Sequence, residues 1–102
     1  MHVVALKTPR VNPCDDLISF LDEALPRLEE GTIIAITSKV VSLCQGAVVP
    51  QAGTCFESLV KREADGFLPK TGPWDDLFLT LKEGCLLPNA GIDASNAGAF
   101  YI

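Results

Sequence analysis

Hydrophobic periodicity along this chain moves between a spacing of about 3.6 residues and near-strict alternation, without a regular β-α-β repeat. After Asp15-Asp16, residues Leu17, Leu21, Ala24 and Leu28 share one helical face, with Ile18 and Leu25 beside them. Pro26 kinks or shortens this helix, and Glu29-Glu30-Gly31 ends it. A second helical pattern covers 56–64, where Phe56, Leu59 and Val60 alternate with the charged Glu57, Lys61, Arg62 and Glu63. Extended structure is predicted for 2–6 and for the β-branched stretch 32–37. It is also predicted for Val40-Val41 and for 47–49, on either side of a turn at Gln45-Gly46. Leu77, Leu79 and Leu81 alternate with Phe78 and Thr80 in a further strand, Gly84 turns it, and Cys85-Leu86-Leu87 begins another. Prolines make 7–14 an extended loop, and 50–53 and 66–74 are irregular. The order β-α-β-β-α-β-β predicts an α+β fold, a mixed, largely antiparallel sheet with two helices.

The chain has 102 residues, enough for one core, and 48% of them are apolar. Counted with glycine and without tyrosine the figure is about 55%, where soluble domains give roughly 45–50%. No run of ten uncharged apolar residues occurs, which excludes a membrane-spanning helix, and the N-terminus lacks the features of a signal peptide. The expectation is a soluble, cytoplasmic protein whose apolar surplus meets a partner surface or the remainder of a larger domain. Eight basic residues against thirteen acidic ones give a net charge of −5, and no basic stripe is present to bind nucleic acid. The four cysteines form no C-x-x-C pair and the lone His2 is terminal, so neither a zinc site nor a Cys–His nucleophile is expected. Cys44 and Cys55 sit in apolar surroundings and read as small hydrophobes.

Two segments carry candidate chemistry. Within 89–98 the only bulky side chain is Ile92, and small residues let backbone approach a ligand closely. Asp93, Ser95 and Asn96 offer a carboxylate, a hydroxyl and an amide on one loop. That suits a hard cation with phosphate and water, and equally a capped turn. Thr37-Ser38-Lys39 follows the predicted 32–37 strand, where Lys39 could meet phosphate or simply blunt an edge strand. It is not a P-loop: there is no G-x-x-x-x-G-K, and no helix is predicted after it. Asp15-Asp16 reads as helix capping before it reads as a catalytic carboxylate pair. Arg62-Glu63 reads as a solvated face and Trp74 as a packing anchor.

Taken in order, these pieces resemble the coenzyme F-420-0:L-glutamate ligase family, the γ-glutamyl ligases of deazaflavin coenzyme synthesis. Val11-Asn12-Pro13-Cys14-Asp15-Asp16-Leu17 resembles the family's I-x-x-G-D-D-L segment. Thr37-Ser38-Lys39-Val40-Val41-Ser42 resembles its T-S-K-x-V-S segment. Lys61-Arg62-Glu63-Ala64-Asp65 with Phe67-Leu68-Pro69 resembles R-E-A-D-x-x-L-P, and Asn89 through Asn96 is nearly N-A-G-I-D-x-S-N. The resemblance spans almost the whole chain and reaches the N-terminal part of the family's domain, so 1–102 is expected to be part of a larger ligase domain.

The resemblance implies GTP-dependent amide-bond formation between L-glutamate and a deazaflavin coenzyme precursor through an acyl phosphate. It implies Mg²⁺ or Mn²⁺, with K⁺ as a further cation, and a homodimer. Carried over by position, Asp93 would bind the metal, Asn96 the nucleotide, and Ser38 and Lys39 its phosphates. The loop Pro9-Arg10-Val11 would border the nucleotide. Three positions depart from the pattern: Leu43 stands for a second lysine, Gln45 for an acidic residue, and Cys14 for a glycine. Two alternatives stay open, a ligase of the same fold for another carboxylate and a non-catalytic assembly paralogue.

Overall fold

Asn12-Pro13-Cys14-Asp15 closes a tight turn, the Asp15 amide donating to the Asn12 carbonyl at 3.2 Å. In this computed structural model, which describes residues 2–69, 77–95 and 98–102, that turn leads directly into helix α1, Leu17–Ala24. The Asp16 carboxylate caps α1, accepting from the Ser19 amide at 2.7 Å. Asp15 accepts from the Asn12 amide at 2.7 Å, so the acidic pair serves the turn and the cap. The helix stops earlier than its apolar spacing predicts. Leu25 precedes Pro26, whose ring disfavours the helical region for the residue before it, and Leu25 is extended at φ −90° and ψ 138°.

The chain divides into two units, Met1–Val48 and Val49–Ile102, each described by itself. In the first unit the structure corrects three sequence expectations. Neither 2–6 nor 32–37 forms a strand; both lie exposed with no ladder among the described residues, Ile33 at 87%. Their β-branched composition favours a pleated surface, yet a strand exists only through the partner that takes its hydrogen bonds. Val40-Val41 is helical, not extended, within α2, Ser38–Cys44. Thr37 caps α2, its hydroxyl accepting from the Lys39 amide at 3.4 Å. Gly46, at φ +69°, ends it: the Ala47 amide bonds the Ser42 carbonyl and the Gly46 amide the Leu43 carbonyl, both at 2.9 Å. That pair of bonds satisfies the last carbonyls of the helix, and the left-handed residue it needs is glycine. Cys14 ties the first turn to α2 by an amide bond to the Leu43 carbonyl at 2.9 Å.

The second unit holds the core. Strand β1, Val49–Pro50, pairs antiparallel with β5, Phe100–Tyr101. Helix α3, Phe56–Glu63, is followed by β2 (Gly66–Phe67), β3 (Leu79–Lys82) and β4 (Cys85–Pro88), an antiparallel sheet in the order β2-β3-β4. The β3–β4 hairpin turns through Glu83 and Gly84, at φ 50° and 77°, the double positive φ that a two-residue loop of matching twist requires. Asp65 Oδ2 accepts from the Glu83 amide at 2.7 Å and fixes that turn. Val60, Phe78 and Ala90 form the buried cluster, with Phe56, Ala64 and Ile92 packed on it. The fold is therefore α+β, with three α-helices among the described residues where two are predicted. Every strand pairing among the described residues is antiparallel, in keeping with the largely antiparallel sheet expected.

Alternation through 77–81, leading into β3, places Phe78 and Thr80 inward, and Leu77, Leu79 and Leu81 outward on an exposed face. All four cysteines are free; Cys55, expected among apolar neighbours, is exposed at the start of α3. The Ser58 hydroxyl and amide favour its thiolate and lower the thiol pKa. Arg62 pairs with Glu63 at 3.1 Å on the solvent side of α3, as a solvated face should. No helix among the described residues is long and apolar enough to cross a membrane. Trp74 lies outside the described residues.

Candidate functional site

The segment from Asn89 to Asp93 is built on an unusual backbone. Asn89, Ala90 and Gly91 all have positive φ, at 53°, 54° and 78°. Asparagine and glycine visit this region readily, whereas an alanine there is strained by roughly 1 kcal/mol. Strain of this kind persists where the surroundings over-determine it. Here the surroundings are β3 and β4. The Asn89 amide donates to the Phe78 carbonyl at 2.8 Å, and Asn89 Oδ1 accepts from the Phe78 amide at 2.8 Å. The Ala90 amide, on a residue only 4% exposed, donates to Thr80 Oγ1 at 2.7 Å. Thr80 Oγ1 in turn donates to the Leu87 carbonyl at 2.6 Å.

Beyond the turn, Asp93 and Ile102 exchange backbone hydrogen bonds at 2.8 and 2.9 Å. The half-buried Asp93 carboxylate accepts from the Ser95 amide at 2.7 Å through Oδ1 and from the Ser95 hydroxyl at 2.8 Å through Oδ2. On the far side of the loop, the Gln51 side chain donates to the Phe100 carbonyl at 2.8 Å and the Gly98 carbonyl at 3.4 Å. The loop is thus held at both ends.

A hard cation fits the donor set in a limited way. Mg²⁺ commonly takes one or two carboxylates and completes its shell with phosphate and water. Asp93 supplies one oriented carboxylate, and since a carboxylate accepts up to about four hydrogen bonds, the Ser95 contacts leave the role compatible. No group of three or more His, Cys, Asp or Glu side chains that could hold a metal occurs among the described residues. A fully protein-made cage is therefore not seen among the described residues.

Nine-tenths of the chain aligns with a curated relative. Coenzyme F420:L-glutamate ligase of Methanopyrus kandleri is 33% identical over 110 aligned residues, covering 91% of this chain and 42% of that protein. This chain is homologous to coenzyme F420:L-glutamate ligase. It spans less than half of that relative's length. No family model matches the chain, and no solved structure matches it.

In this homologue of the ligase the expected site residues fall in both units. Ser38 and Lys39 are the first two residues of α2, so Lys39 belongs to a helix and not to an edge strand, and a helix does follow the T-S-K segment. Pro9 and Arg10 are exposed, and Val11 is buried at the start of the turn that bonds to the opposite end of α2. Asp93 stands in the second unit, and Asn96 lies outside the described residues. Thr80 is the residue that sequence reading does not single out as part of the site, and Asn89 enters there only as the first residue of the 89–96 segment. The available signal is a lone hydroxyl on the inward face of an otherwise apolar strand.

Proposed function

We propose that this chain contributes nucleotide and metal contacts to a ligase that uses GTP to join L-glutamate to the carboxylate of a deazaflavin coenzyme F420 precursor. The observation that carries this reading is the homology to coenzyme F420:L-glutamate ligase along 91% of the chain. The Asp93 loop adds a single oriented carboxylate of the right chemistry. In this reading the γ-phosphoryl passes from GTP to the substrate carboxylate with GDP as leaving group, the amine of L-glutamate attacks the acyl carbon and gives up a proton, and inorganic phosphate leaves. Lys39 meets the phosphates as a point charge and Ser38 donates from its hydroxyl. Asp93 holds Mg²⁺ or Mn²⁺, which when bound supplies charge neutralisation. Asn96 and the segment Pro9-Arg10-Val11 border the nucleotide, K⁺ is a further cation, and the protein acts as a cytoplasmic homodimer.

Calorimetry of the full-length protein with GTP and Mn²⁺ tests the proposal. GTP binding that depends on Mn²⁺ in the wild type and loses that dependence in Asp93→Ala is the expected result. Absence of GTP binding, or binding indifferent to Asp93→Ala, overturns it.

One observation favours a second reading. Leu43 lies four residues after Lys39 in α2, on the same helical face, where the family pattern has another lysine. One charge fewer on that face fits a ligase acting on a different carboxylate. Assaying glutamate transfer to the deazaflavin precursor against other carboxylates separates the two.

A further inference from the structure

We infer that Thr80 is a positioning residue for Asp93, an inference that rests on the reading of Asp93 as the metal-binding carboxylate. Thr80 is 1% exposed and stands on the inward face of β3. Its single hydroxyl uses both of its capacities inside the protein. It donates to the Leu87 carbonyl at 2.6 Å and accepts from the Ala90 amide at 2.7 Å. The first bond orients the oxygen and the second holds Ala90 at φ 54° and ψ 25°, where an alanine does not rest unaided. The turn then closes, the Ile92 amide bonding the Asn89 carbonyl at 2.9 Å, and Ile92 returns to extended backbone at φ −79° and ψ 133°. Asp93 follows immediately and joins Ile102. The direction in which the chain leaves the turn, and so the place of the Asp93 carboxylate, is set by the Thr80 hydroxyl.

Asn89 shares the work and does not replace it. Its two bonds run to Phe78 and fix the start of the turn, whereas the Ala90 amide bonds Thr80. A valine at position 80 keeps the shape and burial of threonine but removes the oxygen, leaving a buried amide and carbonyl without it. A serine keeps the oxygen. The pair separates positioning by the hydroxyl from packing by the side chain.

The test is nuclear magnetic resonance of the isotopically labelled full chain as wild type, Thr80→Val and Thr80→Ser. Thr80→Val is expected to speed amide exchange at Ala90, Ile92 and Asp93 by about tenfold or more and to shift the Ser95 amide resonance. The α3 amides of Leu59 and Val60 serve as the control and stay within about threefold of the wild type. Thr80→Ser restores the wild-type pattern. Unchanged Asp93 and Ser95 signals in Thr80→Val overturn the inference, and so does an equal loss of protection across α3 and the loop. Mn²⁺ alone is then added to each form, and paramagnetic broadening at Asp93 and Ser95 reports the metal. Absence of broadening in the wild type overturns the metal reading of Asp93 and the functional half of this inference with it. The exchange data alone decide whether Thr80 places the loop.

Discussion

Cys14 occupies a backbone position made for a residue without a side chain. It is the third residue of the Asn12–Asp15 turn, at φ +66°, following a proline, which is the arrangement that calls for glycine. An L-residue there is strained by about 1–2 kcal/mol. Removing the side chain relieves that strain, and the greater freedom of glycine in the unfolded chain offsets part of the gain, by about 0.4–1 kcal/mol. Cys14→Gly should therefore raise stability by up to about 1.5 kcal/mol, read as a higher denaturant midpoint with an unchanged slope. Asp16 makes a prediction of the opposite kind. The Ser19 amide, helped by its hydroxyl, stabilises the charged carboxylate and lowers its pKa. A depressed carboxylate contributes its stability above the unfolded value of about 3.9, and that contribution fades as pH falls through the folded value. Helicity of α1 should decline on acidification over that range. In Asp16→Asn, which caps without titrating, circular dichroism should show a flatter acid limb.

At the scale of elements, α1 and α3 are legible because caps and apolar spacing agree. The Asp15-Asp16 pair marks the start of one, and Phe56, Leu59 and Val60 mark the inner face of the other. Helix α2 is not legible by spacing, because Val40 and Val41 are β-branched and its seven residues are too few to display a period. Its ends do carry signals: Thr37 is a good N-cap and Gly46 a good left-handed terminator. Those signals outweigh β propensity here. Thr37→Ala should cost about 1 kcal/mol through the lost cap. Gly46→Ala should cost as much or more, since it adds a left-handed strain and sets a Cβ 3.0 Å from the Cys14 sulfur. Thermal denaturation of both variants checks the pair; an untouched midpoint in Gly46→Ala would contradict this account of the helix end. The Asp93 loop is half legible. Its small residues and its Asp-Ser pair stand in the sequence, but the contacts from Phe78 and Thr80 that hold it come from a different strand.

Across the whole molecule the apolar surplus lies largely on the surface. The run Leu77-Phe78-Leu79-Thr80-Leu81 leading into β3 is almost wholly apolar on both faces, so alternation establishes a strand without saying which face turns inward. The structure buries Phe78 and Thr80 and leaves the leucines in rows across the sheet: Leu79 faces Pro88, and Leu81 faces Leu86. Leu86, at 70% exposure, and Leu68, at 59%, extend the same open face. Two substitutions on opposite faces should then behave oppositely. Phe78→Ala removes a 3%-exposed ring from the core and should cost about 3–5 kcal/mol, enough to unfold a small domain. Leu86→Lys should leave circular dichroism and the thermal midpoint nearly unchanged. Because contiguous exposed apolar surface is what hydrophobic dyes bind, the same variant should lower dye fluorescence of the folded chain. Loss of structure in Leu86→Lys, or dye binding that ignores it, would mean that the leucine rows are covered in solution and that Phe78 is not the inward face.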